Sequence, residues 1–402
     1  MENRRLTLTA ARGGNLTDLS HHNRLAIFSN IRRHGPVTKP KIAEATGLTA
    51  VTVTNVVREL ESEGWVVRDG YAASSGGRRP VSYRIAAEAG TIIAVDAAGY
   101  QVDAAAIDLG GKILRRERTA LNLERKTPTL AVIESITKMA DEIGWNQIVG
   151  VGLAVPGIVE PSTGAVLHSV PLGWRDVPLR TIVENTFGWP AVVYNQTHAA
   201  VYGELDSAWS DDFECILYLH VGLGIGMGVV VDGRVHWGAH GMSGELGHTV
   251  VEPEGPECEC GNRGCLERLA SVRALVEYAR EMGSDVSGDA AGLEALFSRA
   301  AAREGAERAA LRKVCRYLSI ALVNACHLFD PEFVLVSGPE EDREQVLVNF
   351  LRQELGRFTP LFAGGKIQMA RVRLGQSARL IGAATGLLKS VFAAGRVLTR
   401  PE

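Results

Sequence analysis

The chain has 402 residues, of which 46% are hydrophobic and 22% charged, with 6 cysteines and a formal net charge of −3. It is too long for one ordinary domain, and the composition excludes a disordered chain and a disulfide scaffold. The N-terminus carries Arg4, Arg5 and Arg12 and no apolar stretch, and the longest uncharged apolar run, Ile216 to Val231, has 16 residues. Neither a secretory signal nor a membrane span is expected, so no membrane partner is expected. The expected compartment is the reducing cytoplasm, where a persistent disulfide is disfavoured.

Charge is unevenly spread. Residues 1–85 hold 13 Lys/Arg against 7 Asp/Glu, and the remainder holds 30 against 39. A basic head on an acidic body points to a polyanion partner, although small domains also differ in charge by chance. Residues 1–20 read as a flexible arm or an extra helix. In "HNRLAIFSNIRRH", residues 22–34, Leu25, Ile27, Phe28 and Ile31 fit an amphipathic helix ended by Gly35-Pro36. Thr38 can cap a second helix reaching Thr46, with Pro40 in its first turn and Gly47 in the turn that follows. Thr49 can cap a third helix reaching Glu63, with Val53, Val56, Val57 and Leu60 inward.

Two short helices joined by a tight glycine turn form a helix-turn-helix. The outward face of the third helix is then Thr49, Ala50, Val51, Thr54, Asn55 and Arg58. It is short of charge for a solvated face and suits a groove, where methyls meet thymine and Asn or Thr reads base edges. "WVVRDG" and "VSYRI" read as a hairpin wing with Arg78 and Arg79 at its tip. Arginines so placed can enter a narrow A·T-rich minor groove; alone, the pair would be a solvated loop. The expected domain is a winged helix-turn-helix over 21–86, with operator DNA as partner. A homodimer or tetramer is expected, because one head reads one half-site.

From about Gly90 strands and helices alternate. "TIIAVDAAG" and "YQVDAAAIDLGGKILRRERT" read as strands of one sheet, 127–143 as a helix, and "AVVYNQTHAAVYGEL" as a strand entering a helix. A second set begins at "ECILYLHVGLGIGMGVVVDGRV", followed by helices at 268–282, 288–303 and 305–329, the strand "EFVLVSG" and a closing helix in "SARLIGAATGLLKSVF". Similar starts near 91 and 215 suggest an internal duplication, hence two α/β lobes around a cleft. The first lobe is expected at 90–196 plus 376–395, and the second at 197–375.

The pieces "VGLAVPGIV", "LGWRDVPL", "GLGIGMGVVVDGRV", "GMSGELGH" and "CECGNRGCLERLAS" resemble the ROK family (repressors, open reading frames and kinases) of the actin-like sugar kinase superfamily. The resemblance covers about 85–395; with the winged head in front it is similar to the sugar-responsive repressors of that family. It implies an α/β fold with a two-lobed actin-like body behind the winged head.

Cys-x-Cys-x4-Cys with a histidine ten residues upstream admits a metal site, a redox pair or plain buried thiols. In a reducing compartment His248, Cys258, Cys260 and Cys265 suit a structural Zn²⁺, and they match the family's zinc site position for position. Gly261 and Gly264 would let the chain fold back around the ion. Cys215, Cys315 and Cys326 read as core. The family uses the positions of Asn195, Glu245, His248 and Glu267 for sugar hydroxyls, and two carboxylates and an imidazole can grip a polyol. The competing readings are a surface charge for Glu245 and a salt bridge to Arg263 or Arg268 for Glu267.

Phosphoryl transfer needs a carboxylate base. Family kinases carry Asn-Asp where this chain has Asn195-Gln196, and the expected phosphate loops carry Ala98, Tyr100 and Leu223. No catalytic residue is therefore expected. Pro171 stands where many relatives have Asn, which leaves the sugar open among glucose-like, xylose-like and N-acetylated types. The expected function is a sugar-responsive transcriptional regulator of the repressor kind with an inactive kinase-like body. The alternatives are control by a protein partner such as a sugar transporter, or an active kinase.

Overall fold

The computed structural model describes residues 16–72, 79–98, 100–121, 127–207, 213–338, 341–358 and 365–393. The head is built from α1 (Leu16–His34), β1 (Val37–Thr38), α2 (Lys39–Thr46), α3 (Ala50–Ser62), β2 (Val66–Tyr71) and β3 (Val81–Ile85). Helix α1 begins inside the stretch, residues 1–20, expected to be a flexible arm or an extra helix. Gly47 takes φ 68° and so turns α2 into α3, a conformation that a side chain would strain. Thr49 Oγ1 accepts from Thr52 N at 3.2 Å and caps α3. Thr38 occupies the corresponding place before α2 but makes no side-chain cap. Its backbone instead belongs to β1, which pairs antiparallel with β3 and makes the wing a three-stranded sheet in the order β1-β3-β2. That extra strand is two residues long, too short for a period to reveal.

The body begins without a linker. Its first sheet uses β4 (Thr91–Ala97), β5 (Gln101–Asp108), β6 (Ile113–Ala120), β7 (Ile148–Val155) and β11 (Ala191–Asn195) in the order β11-β7-β4-β5-β6. A small sheet of β8 (Ile158–Val159), β9 (Val166–Ser169) and β10 (Trp174–Val177), together with α4 (Pro128–Ile143) and α5 (Leu179–Phe187), completes this half. Helix α6 (Gln196–Ser207) leads to the second sheet: β12 (Ile216–Val221), β13 (Ile225–Val231), β14 (Arg234–Val235), β15 (Phe333–Ser337) and β16 (Gln368–Arg371), in the order β14-β13-β12-β15-β16. Between them run α7 (Leu266–Ala270), α8 (Val272–Glu281), α9 (Ala290–Ala302), α10 (Ala306–Phe329) and α11 (Glu341–Phe358), and α12 (Ala378–Ala393) closes the described chain.

The two sheets have one topology. In each, the first strand pairs antiparallel with the second and parallel with the fourth, and the fifth extends the parallel side. The duplication seen in the sequence is therefore a duplication of strand order. Each sheet buries both faces: Ile93 and Val95 point to one core while Ile92 and Ala94 point to another. Besides β1, the elements not expected include β9, β10 and α5, helix α11, and β16, which is only four residues long.

Helices α6 and α12 cross between the sheets. A Cβ on Gly382 would collide with Ala199 O, and one on Gly203 would collide with Ala378 O. The crossing is that close because both positions lack side chains. At its far end α12 becomes part of the head: Phe28 and Phe392 lie 4.2 Å apart between ring centroids, Trp65 meets Phe392 edge-on at 6.5 Å, and Arg24 lies over the same ring at 5.5 Å. Ile27, Phe28, Ile31, Val57 and Leu60 of the head share one apolar core with Ile92, Ile107, Leu388 and Val391 of the body. Arg32 of α1 is driven into this joint. It pairs with Asp206 of α6 and donates to Leu109 O at 2.9 Å and to Thr385 Oγ1 at 3.1 Å. Both charged side chains are about 95% covered, at 4% and 5% relative exposure. Burial pulls the guanidinium down to about 10, with the charge of Arg33 adding to the effect. No described helix is long and apolar enough to cross a membrane.

Candidate functional site

The residues expected to face DNA lie as the helix period requires. Thr49, Ala50, Val51, Asn55 and Arg58 are exposed and Thr54 is half-buried, while Val53, Val56, Val57 and Leu60 are buried. Val51 is 70% exposed, an apolar side chain that nothing in the described fold covers. Thr49 Oγ1 is shared between the cap and Thr52 Oγ1, 2.9 Å away. Arg79 is exposed at the base of the wing tip; Arg78 lies outside the described residues.

The second sheet carries the cysteine-rich segment. The ligand atoms of His248, Cys258, Cys260 and Cys265 all lie within 4.8 Å of one another. Cys258 Sγ is 3.7 Å from His248 Nδ1, and Cys260 Sγ is 3.6 Å from Cys265 Sγ. Backbone bonds fold the segment into a knuckle: Cys258 N donates to Asn262 O, Gly261 N to Cys258 O and Val251 N to Gly264 O. Gly261 and Gly264 take φ 93° and 67°, and a Cβ on Gly264 would strike Glu252 O. Cys260 is drawn down to about 7, chiefly by the Asn262 backbone N–H, whereas burial pushes Cys265 up to about 12. Three sulfurs and one imidazole nitrogen converging at this spacing are the donor set of a tetrahedral, closed metal shell. The other three cysteines differ from one another. Cys315 and Cys326 are core residues, as expected. Cys215 is not: it is half-buried at the foot of β12, and its Sγ donates to Phe329 O at 3.3 Å.

With Nδ1 turned to the sulfurs, His248 Nε2 faces away and lies 4.0 Å from Glu245 Oε2. Glu245 is raised above the usual carboxylate range by burial, with Glu267 adding repulsion and His248 opposing it. Glu267 Oε2 accepts from Ile225 N at 2.9 Å, so its carboxylate sits against the glycine-rich turn of β12–β13. The alternative salt bridges of Glu267 do not form: Arg263 pairs with Glu257 at 2.9 Å, and Arg268 donates to Glu257 O. The segment 244–248 lies flat on the start of β13, since Met227 N donates to Gly244 O and a Cβ on Gly247 would strike Ile225 O.

Asn195 reaches the same strand from the other side. Its Nδ2 donates to Gly157 O at 2.7 Å and its Oδ1 accepts from Thr197 N at 2.8 Å. Thr197 in turn crowds Gly226 of β13. Glu245, His248, Glu267 and Asn195 thus border β13 and the floor between the sheets. His198, one turn further along α6, is 2% exposed and packs on Trp237 at 4.2 Å. It does not face an open cleft, so it does not replace the missing Asn at Pro171. Burial lowers it to about 4, and neither ring nitrogen has a hydrogen-bond partner among the described residues.

At the floor, Gln196 Nε2 donates to Asp96 Oδ1 at 2.6 Å. An amide donor therefore stands beside Asp96, where proton abstraction from a hydroxyl would need a basic oxygen. Arg379 Nη1 lies 3.3 Å from the other oxygen of Asp96, and Arg379 Nη2 is 2.9 Å from His220 Nε2. The sequence reading passed over Arg379 and His220. The available signal was one cation at the head of the otherwise apolar helix "ARLIGAATGLL".

Comparison with known families agrees with this geometry. The ROK family model matches residues 92–389. The chain belongs to the ROK family. A MarR family model matches residues 21–69, the helical part of the head. This ROK chain is 31% identical to a xylose repressor from Caldicellulosiruptor bescii, over 90% of its own length and 94% of that protein. Its fold is similar to that of a ROK family transcriptional regulator described as a homolog of the Escherichia coli MLC protein. That match has a TM-score of 0.78 at 23% identity, covering 95% of this chain and 98% of the other. The body without the head is similar to a ROK glucokinase from Streptomyces griseus in complex with glucose and AMPPNP. There the TM-score is 0.65 at 27% identity, over 73% of this chain and 98% of the other.

Proposed function

We propose that this ROK protein is a sugar-responsive, DNA-binding transcriptional repressor whose kinase-like body senses without transferring phosphate. The observation that carries the reading is a winged head packed directly on a sugar-kinase fold in which the Gln196 amide donates to Asp96. The exposed face of α3, with Val51, Asn55 and Arg58, would enter the major groove of an operator, and the wing would lie along the backbone with Arg78 and Arg79 at the minor groove. A homodimer would present two such faces.

The effector would be a sugar gripped by Asn195, Glu245, His248 and Glu267. The donor set fits Zn²⁺, held by His248 Nδ1 and the sulfurs of Cys258, Cys260 and Cys265; a closed shell of this kind supplies structure and no chemistry. His248 would then be locked in orientation with Nε2 toward the effector and Glu245. Isothermal titration with xylose, glucose and N-acetylglucosamine tests the reading. One sugar should bind, and Glu245→Ala should weaken it at least tenfold, the scale of a hydrogen bond to a charged group, roughly 1.5–3 kcal/mol. An operator fragment selected from random DNA should change its affinity on adding that sugar. No heat from any sugar would overturn the sensor. ATP turnover that is lost in Gln196→Ala would restore a kinase.

A further inference from the structure

We propose that Arg379 is an interlobe clasp that ties the floor of the cleft to the DNA-binding head. Five side chains from five elements form one polar chain at the floor. Gln196 at the start of α6 donates to Asp96 on β4 at 2.6 Å. Asp96 takes Arg379, from the first turn of α12, at 3.3 Å. Arg379 donates to His220 Nε2 on β12 at 2.9 Å, and His220 Nδ1 meets Ser337 Oγ at the end of β15, 3.3 Å away. Asp96 belongs to the first sheet, and His220 and Ser337 to the second. The two sheets are thus joined through one guanidinium, whose planar fork can serve two partners at once.

The residues flanking Arg379 hold it in place. Arg116 on β6, paired with the buried Asp103, donates to Ser377 Oγ at 3.2 Å. Buried Glu204 on α6 accepts from the backbone of Arg373 and Leu374 at 3.0 and 2.8 Å. The entry to α12 is therefore anchored to the first sheet and to α6, which holds the start of the helix that carries Arg379.

Both helices that start at this floor end in the head. From Arg379 to Phe392 is 13 residues, about 20 Å of helix, and Phe392 packs on Phe28 and meets Trp65 edge-on. From Gln196, α6 runs to Asp206, which pairs with Arg32 of α1. The glycine crossing of α6 and α12 leaves little room to slide, since Gly382 and Gly203 already touch the opposing backbone. A change in lobe angle must then either break the Asp96–Arg379–His220 link or carry α12, and the head with it. Coupling between distant sites needs an element with two discrete arrangements, which here would be the clasp closed and the clasp broken. This proposal rests on the sugar-sensor reading only for what opens the clasp.

The test compares full-length wild type, Arg379→Ala and Asp96→Asn by hydrogen exchange and by operator affinity without sugar. Asp96→Asn keeps the side-chain volume and serves if Arg379→Ala does not fold. Breaking the clasp should speed exchange at the β4–β5 and β12–β13 turns and also in α1, which α12 reaches only about 20 Å of helix beyond Arg379. It should shift sugar-free operator affinity at least fivefold although no DNA-facing residue is altered. Faster exchange confined to the floor, with α1 and operator affinity unchanged, would overturn the clasp. If wild type answers no sugar but the variants still alter α1, the clasp stands and the sugar reading alone falls.

Discussion

The two sheets share strand order, and what has been added to each differs. The first sheet is sealed on one face by α12 and the head, through an apolar core that runs unbroken from Ile27 to Val391 and encloses the Arg32–Asp206 pair. The second is sealed by α7, α8, α9, α10 and α11, and carries the His248, Cys258, Cys260 and Cys265 cluster on a loop with little apolar cover of its own. One half thus spends its surface on holding the head, and the other on holding the cysteine-rich loop. A shared topology fixes where strand ends point; the segments inserted between strands decide which chemistry sits there.

The comparison predicts separable failures. The largest expected effect is metal removal. Structural Zn²⁺ sites bind with on the order of 10 kcal/mol of apparent free energy. Cys265→Ser, or stripping with a strong chelator, should abolish stoichiometric zinc by elemental analysis and speed exchange over 244–268. Exchange in α1 and α12 should stay slow, and fast exchange in both halves would break the division. Conversely, Phe392→Ala should loosen the head and first sheet and leave zinc content intact. It removes the ring that Phe28, Trp65 and Arg24 pack on, and urea titration should show a loss of about 4 kcal/mol.

Arg32→Ala, which leaves the buried Asp206 with the more distant Arg33 at 3.8 Å and Thr385 at 3.4 Å, should cost about 3 kcal/mol, whereas Arg32→Met with Asp206→Leu should fall within about 1 kcal/mol of wild type. Equal losses in the two would mean that the pair contributes by its net attraction and not by avoiding an orphaned charge. Acid sharpens the contrast further. His198 and His220 are held at about 4 and about 3, below the ordinary 6.5, mainly by burial. Between pH 6.5 and 4 the unfolded chain binds protons that the native chain refuses, so stability falls as pH falls, by up to about 1.4 kcal/mol per pH unit for each histidine. His198→Phe should keep the packing on Trp237 and flatten that slope in urea titrations at pH 7, 6 and 5. The smallest effect belongs to Thr49→Ala. Loss of the α3 cap should cost about 1 kcal/mol in thermal unfolding.

Much of this was legible in the chain. The period of Val53, Val56, Val57 and Leu60, with Thr49 before it and Gly47 in the turn, specified the helix pair because burial at helical spacing and a positive φ are local demands. The cysteine spacing placed four donors within reach of one point because short-range backbone bonds fold the 248–265 segment back on itself. Glu245 and Glu267 stood out as candidates, but the partner of Glu267 did not: it is a backbone N–H on β13 rather than an arginine nearby in sequence. Short elements such as β1 and β16 were lost, since two to four residues carry no period.

Local pattern in the sequence determined the winged head, the duplicated lobes and the metal-type cluster, each specified by residues within a few turns of one another. Tertiary structure alone decided that α12 belongs to the head as much as to the body, that Arg32 is buried against Asp206, and that Arg379 bridges Asp96 and His220. Those partners are separated by 159 to 364 residues. Nothing in the composition near either member marks the other, because an ion pair or a ring contact is selected by where the crossing of two helices happens to bring the side chains.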